Sequence, residues 1–110
     1  MKMNLATLKD TAAWAKVGVK LPAYDVEKVV AETKKAPIWV HFGGGNIFRI
    51  FLGTAQQKLL DEGLCDKGIV VAETFDYEVI DKAYDPFDNL TLAVTLNPDG
   101  TVSREIIGCL

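Results

Sequence analysis

The chain has no apolar run near the ~20 residues that a membrane-spanning helix needs. Its opening stretch, MKMNLATLKD, lacks the apolar centre of a secretory leader. Twelve Lys and Arg face fifteen Asp and Glu, a net charge of −3, so neither nucleic acid nor an anionic membrane is an expected partner. Histidine occurs once, at His41, with no second histidine or cysteine at ligand spacing, so no metal site is expected. The two cysteines, Cys65 and Cys109, are far apart and form no C-x-x-C pair. They read as buried, reduced thiols of a cytoplasmic protein. A phosphate-loop lysine, a nucleophile elbow and a zinc motif are all missing. No catalytic residue is therefore named from the sequence.

What is there is ordinary globular material. The 110 residues are 49% apolar and 25% charged, enough for one small domain with its own core. Two parts are expected: a helical and connecting segment over 1–36, and a nucleotide-binding segment of α/β class over 37–110.

In the first part, TLKDTAAWAKVG places Leu8, Ala12 and Ala15 at helical spacing, with Asp10 as cap and Gly18 as stop. VKLPAYD reads as a connector. DVEKVVAETKK predicts an amphipathic helix with Val26, Val29 and Val30 inward, and Lys34 and Lys35 favourably at its C-terminus. Pro37 then resets the chain.

PIWVHF predicts a short buried strand. Gly43, Gly44 and Gly45 form a turn, and a helix follows with Ile47, Phe51, Ala55 and Leu59 at four-residue steps and Phe48 and Leu52 alongside. Gln56, Gln57, Lys58, Asp61 and Glu62 supply its wet face, and Gly63 ends it. GIVVAET predicts a second strand, parallel to the first, which completes a βαβ unit. A short helix is expected around Tyr77, Ile80, Ala83 and Tyr84, closed by Asp85-Pro86. LTLAVTL and TVSREIIG, joined by the turn NPDG, predict an antiparallel β-hairpin over 89–108. The fold class is thus a Rossmann-like βαβ nucleotide-binding segment with a hairpin elaboration.

The glycine turn carries the chemistry. A helix that starts at the carboxyl edge of a parallel strand presents unpaired N–H groups and a positive dipole end. Pyrophosphate fits there when no side chain blocks its approach. Gly43 and Gly45 fill the first two places of G-x-G-x-x-G, while Phe48 takes the third. Asn46 sits where a helix cap is wanted and is also compatible with lining a phosphate site. Arg49 is a cation in a first turn that disfavours cations, so it needs a partner. That partner is either a salt bridge or solvent at the surface, or a bound cofactor. Glu73 and Asp76, at the end of the second strand, are alternatives for the adenosine ribose, or ordinary loop acids. No arginine or lysine immediately follows that strand, which favours NAD over NADP. His41 reads as a packed residue with its ring satisfied. The glycines themselves either cradle a dinucleotide or only turn the chain.

HFGGGNIFR resembles the fingerprint H-F-G-x-G-x-F-H-R of the mannitol dehydrogenase family, the polyol-specific long-chain dehydrogenases. Gly43, Gly45 and Arg49 match. LPAYD, VTLNPDG and IIG also look like segments of that family, so the resemblance runs from about Leu21 to Gly108. Ile47 and Phe48 replace the family's Phe-His, and no role of that histidine transfers. The resemblance implies an NAD-dependent oxidoreductase acting on a sugar acid or polyol. Gly43, Gly44, Gly45 and Asn46 would lie at the pyrophosphate, Arg49 near the phosphates or the cleft, and Glu73 or Asp76 at the ribose. The family's catalytic lysine, with its asparagine and histidine partners, lies in a C-terminal helical domain. The 110 residues alone are therefore expected not to turn over substrate. Two further readings stay open: a non-catalytic nucleotide-binding module, and an interaction piece that associates with itself through uncovered apolar surface.

Overall fold

The computed structural model describes residues 1–110. Asp10 accepts the N–H of Ala13 and so caps α1 (Thr11–Lys16), and Gly18, at φ +72°, leads the chain out of it. A single 3-10 turn, Thr7–Lys9, precedes α1, and the Trp14 indole donates to Thr7 O at 2.8 Å across the two. The expected connector that follows holds a two-residue strand, β1 (Val19–Lys20). Asp25 caps α2 (Val26–Lys35) by accepting from Lys28 N. Val26 and Val29 are buried and Val30 is half-buried, as the amphipathic pattern predicts.

β2 (Val40–Phe42) and β3 (Val70–Ala72) pair in parallel, with Val40 opposite Val70 and Phe42 opposite Ala72. The helix between them, with α3 (Gly53–Asp61) as its regular part, completes the βαβ unit. β2 is not the buried strand expected. Val40 is 48% and Phe42 70% exposed, both on one face of the strand. β4 (Thr91–Leu96) and β5 (Val102–Ile107) form the antiparallel hairpin, with Thr91 opposite Ile107 and Leu96 opposite Val102. Gly100 closes its turn by donating to Asn97 O at 3.0 Å. β1 adds to β5 in parallel, giving a three-stranded sheet in the order β1-β5-β4.

The helix after the glycines differs most from its sequence pattern. Its buried residues are Phe48, Gly53, Gln56, Gln57 and Leu60, while Ile47 is 84% and Phe51 71% exposed. Ile47 points outward although it precedes the wide π-helical turn over Phe48–Leu52, so the four-residue stripe is one residue off from its start. From Phe48 to Gly53 the inward stripe advances five residues, and only then does it take α-helical steps. A stripe drawn at four-residue steps from Ile47 is therefore out of phase with the buried face.

Gln57, assigned to solvent by that pattern, is fully buried and satisfied. Its Oε1 accepts from Tyr24 Oη at 2.7 Å and Gly108 N at 2.9 Å. Its Nε2 donates to Ile106 O at 2.8 Å and Glu105 Oε1 at 3.0 Å. One amide thus joins the helix to the hairpin and to the start of α2. Around it lie two apolar clusters. Trp14, Val19, Val26, Leu90 and Ile106 form one, and Val29, Leu60, Ala93, Ile107 and Cys109 the other. Gly53 lets the helix approach the hairpin, since a Cβ there would stand 3.1 Å from the Ile107 side chain.

The expected helix near Tyr84 is a second π-helical turn, Ile80–Tyr84, continued by a 3-10 turn over Asp85–Phe87. Asp85-Pro86 does not close it. Proline is tolerated in a first turn, where its missing N–H has no partner to lose. The chain reverses instead at Asp88 and Asn89, both with positive φ. Cys109 is buried and Cys65 half-buried, and both are free thiols.

Candidate nucleotide-binding site

The three glycines serve three different ends. Gly43 has φ +110°, a conformation L side chains rarely adopt. Its N–H extends the β3 ladder to Ala72 O at 2.7 Å. Gly44 is buried beneath Tyr84, whose hydroxyl donates to Gly44 O at 3.0 Å. A Cβ on Gly44 would meet that hydroxyl at 3.1 Å. Gly45 has no positive φ, and a Cβ there would meet nothing within 4 Å. The chain's own packing makes no demand for glycine at 45, and the space beside it is open.

The helix begins at Asn46, so Gly45 and not Asn46 takes the capping position, and Gly45 O accepts from Arg49 N at 3.0 Å. The backbone N–H groups of Gly45, Asn46, Ile47 and Phe48 have no acceptor in the protein. They form the donor set that a helix start offers an anion. Asn46, as the first helical residue, instead accepts a hydrogen bond from the Arg49 guanidinium through Oδ1.

Phe48, at the third place of the glycine pattern, stacks on His41 with centroids 4.0 Å apart and planes at 19°. His41 Nδ1 hydrogen-bonds to Gly43 O at 3.0 Å. The histidine is packed and satisfied, as expected.

Glu73 and Asp76 part company. Glu73 Oε2 accepts Gly44 N–H at 2.9 Å, and Oε1 accepts from Thr74, Phe75 and Asp76 N at 3.0, 3.1 and 3.3 Å. The Gly44 amide above all, helped by those of Phe75, Asp76 and Thr74, holds its carboxyl below the usual carboxylate range. The carboxylate of Asp76 is exposed and makes no hydrogen bond or ion pair in the protein. The clasp from Glu73 to Gly44 spans 29 residues, and no local sequence signal could have found it.

Arg49 pairs with no carboxylate, so the salt bridge considered from the sequence does not form. Its guanidinium lies 5.7 Å from the Tyr84 ring centroid. Burial pushes the Tyr84 hydroxyl up to about 12, so it remains a donor to Gly44 O at neutral pH. Among the His, Cys, Asp and Glu side chains no group of three is placed to hold a metal ion, and no helix is long and apolar enough to cross a membrane.

No family model matches the chain. It is 56% identical over 107 residues to D-mannonate oxidoreductase of Thermotoga maritima, a match covering 97% of this chain and 20% of that protein. Among solved structures it is similar to a substrate-free D-sorbitol dehydrogenase, with a TM-score of 0.76 and 27% identity over the whole chain and 21% of the other. It also shares the fold of Pseudomonas fluorescens mannitol 2-dehydrogenase, solved as a ternary complex with NAD and D-mannitol, with a TM-score of 0.74 and 23% identity over 100% of this chain and 21% of that one. The chain thus spans about a fifth of the length of these relatives. The likeness carried by HFGGGNIFR extends over nearly the whole chain, which is similar in sequence to a stretch of a D-mannonate oxidoreductase and in fold to stretches of the two polyol dehydrogenases.

Proposed function

We infer that the chain is the NAD-binding portion of an oxidoreductase that interconverts fructuronate and mannonate, in the cytoplasm. The observation that carries this reading is the 56% identity to a D-mannonate oxidoreductase across nearly all of the chain. The site fits a dinucleotide on its own geometry. Open space at Gly45 and four unpartnered N–H groups suit pyrophosphate. NAD, when bound, supplies or takes up the hydride. The residues of this chain bind and orient it and provide no acid or base.

Of the two acids at the β3 edge, Asp76 suits the adenosine ribose better. Glu73 already accepts four backbone N–H groups, whereas the carboxylate of Asp76 is free. The absence of a cation immediately after β3 agrees with NAD over NADP. The two free thiols accord with a reducing compartment. The uncovered apolar side chains of Ile38, Val40 and Phe42, beside the open edge of β2, also favour association of this 110-residue chain with itself. Sedimentation of the chain and a Val40→Lys variant checks that point, with more monomer expected in the variant.

The test is a calorimetric titration with NADH, with NADPH and a Gly45→Val variant in parallel. NADH binding that exceeds NADPH binding and is lost in the variant, with unchanged circular dichroism, is expected. Equal NADH binding by the variant, or none by the folded chain, would overturn the assignment. A second reading is a nucleotide-binding module with no turnover of its own. It needs only the unpartnered N–H groups at the glycine turn, and predicts the same binding.

A further inference from the structure

Ala72, His41, Glu73 and Tyr84 use up the backbone polar groups of the first two glycines. Gly43 N–H donates to Ala72 O at 2.7 Å, and Gly43 O is hydrogen-bonded by His41 Nδ1 at 3.0 Å. Gly44 N–H donates to Glu73 Oε2 at 2.9 Å, and Gly44 O accepts from the Tyr84 hydroxyl at 3.0 Å. The first backbone group of the turn left without a partner is the N–H of Gly45.

That N–H belongs to the same peptide unit as Gly44 O. No peptide bond of the chain is cis, and in a planar trans peptide the C=O and N–H point in opposite directions. Whatever holds Gly44 O therefore aims Gly45 N–H. The holder is Tyr84, so the N–H points away from the Tyr84 hydroxyl, on a residue whose own Cβ position is open. A hydrogen bond to the carbonyl also polarises the peptide and strengthens its N–H as a donor.

Tyr84 is placed as a fixed point. It is 3% exposed and ends the π-helical turn Ile80–Tyr84. The reversal at Asp88 and Asn89 brings Asn89 N–H back to Tyr84 O at 2.9 Å. A phenylalanine would fill the same space, so packing alone does not call for the hydroxyl. The hydroxyl hydrogen-bonds to Gly44 O and to nothing else.

We propose that Tyr84 is a positioning residue, which through the Gly44–Gly45 peptide fixes the direction of Gly45 N–H as a donor to the diphosphate of a dinucleotide. It acts without touching the cofactor, from 40 residues along the chain. The proposal rests on the dinucleotide reading above and adds to it the residue that shapes the donor set.

The experiment compares the wild-type chain with Tyr84→Phe and Tyr84→4-aminophenylalanine, the second of which restores a donor. Without ligand, the Gly45 N–H dipolar coupling in an aligned sample, referenced to those of α2, should change in Tyr84→Phe and largely return in the amino variant. With ligand, the dissociation constants for NADH and ADP should rise about three- to tenfold in Tyr84→Phe. That for adenosine, which carries no phosphate, should not move. An unchanged Gly45 coupling, or a loss for adenosine equal to that for NADH, would overturn the proposal and leave the hydroxyl a packing group. If Tyr84→Phe does not fold, the amino variant carries the test as a weaker donor, with the same changes in smaller measure. A wild-type chain that binds no NADH would overturn the dinucleotide reading, and the Gly45 coupling then decides by itself whether Tyr84 aims the peptide.

Discussion

Gly44 and Glu73 are joined by a hydrogen bond of 2.9 Å that ties the glycine turn to the loop after β3. The same carboxylate gathers the next three backbone N–H groups of its own loop. The acid at this edge therefore acts first on the shape of the site.

That clasp has a defined pH dependence. The folded carboxyl of Glu73 titrates below its unfolded value of about 4.3. The stabilisation is then present above that pH and is lost as pH falls through the lower folded value. Carbon-detected titration of the Glu73 carboxyl should give a depressed midpoint, and the Gly44 amide shift should follow it. A midpoint at the ordinary value, or a Gly44 amide that does not move, would contradict the clasp. Glu73→Gln should loosen residues 73–76 and weaken NADH binding by the chain.

Neighbouring glycines should answer substitution differently. Gly44→Ala drives a methyl against the Tyr84 ring and hydroxyl and should cost about 1–3 kcal/mol of stability. Gly45→Ala meets nothing and should cost less than about 1 kcal/mol. Urea denaturation of the two variants separates them, and equal losses would show that the turn is packed otherwise than described.

Gln57 should be intolerant of an apolar replacement of similar size. Gln57→Leu would strand Gly108 N–H, Ile106 O and the Tyr24 hydroxyl inside the molecule, a loss of about 2–5 kcal/mol. Gln57→Glu keeps the acceptor and should cost less only where the carboxyl is protonated. Chemical denaturation of both at neutral and acid pH provides the check.

The thiols should differ in reactivity. Burial pushes the Cys109 thiol up to about 12, and Cys109 donates to Gly53 O at 3.3 Å. The unfolded thiol ionises near 8.5, so this group's contribution falls as pH rises above that value. Iodoacetamide at pH 8 should label half-buried Cys65 first, and Cys109 only on unfolding. Mass spectrometry of the native chain showing Cys109 labelled at the rate of Cys65 would refute this.

Much of this architecture is local and so could be read from the residues. Asp10, Asp25, Gly18, Gly63 and the NPDG turn act through their immediate neighbours, and the two apolar runs pair as a βαβ unit should. What failed depended on distance. Two residues such as Val19 and Lys20 carry no strand periodicity, and only pairing with β5 makes them one. Gln57 looks like a surface residue until Tyr24 and Gly108 are brought to it. Around the glycine turn, the placing of Asn46 and Arg49 at the start of a helix was legible. The clasp of Glu73 and the ring of Tyr84 over Gly44 were not, because each joins segments more than 25 residues apart.

The π-helical turn over Phe48–Leu52 has one more effect. It divides a single helix into two lengths whose faces need not stay in phase. The first length answers to the glycines and to His41, the second to the hairpin through Gly53, Gln57 and Leu60. A substitution that suits one length is thereby spared the demand to suit the other. The end of this helix beside the glycine turn can change while its end against the hairpin stays fixed.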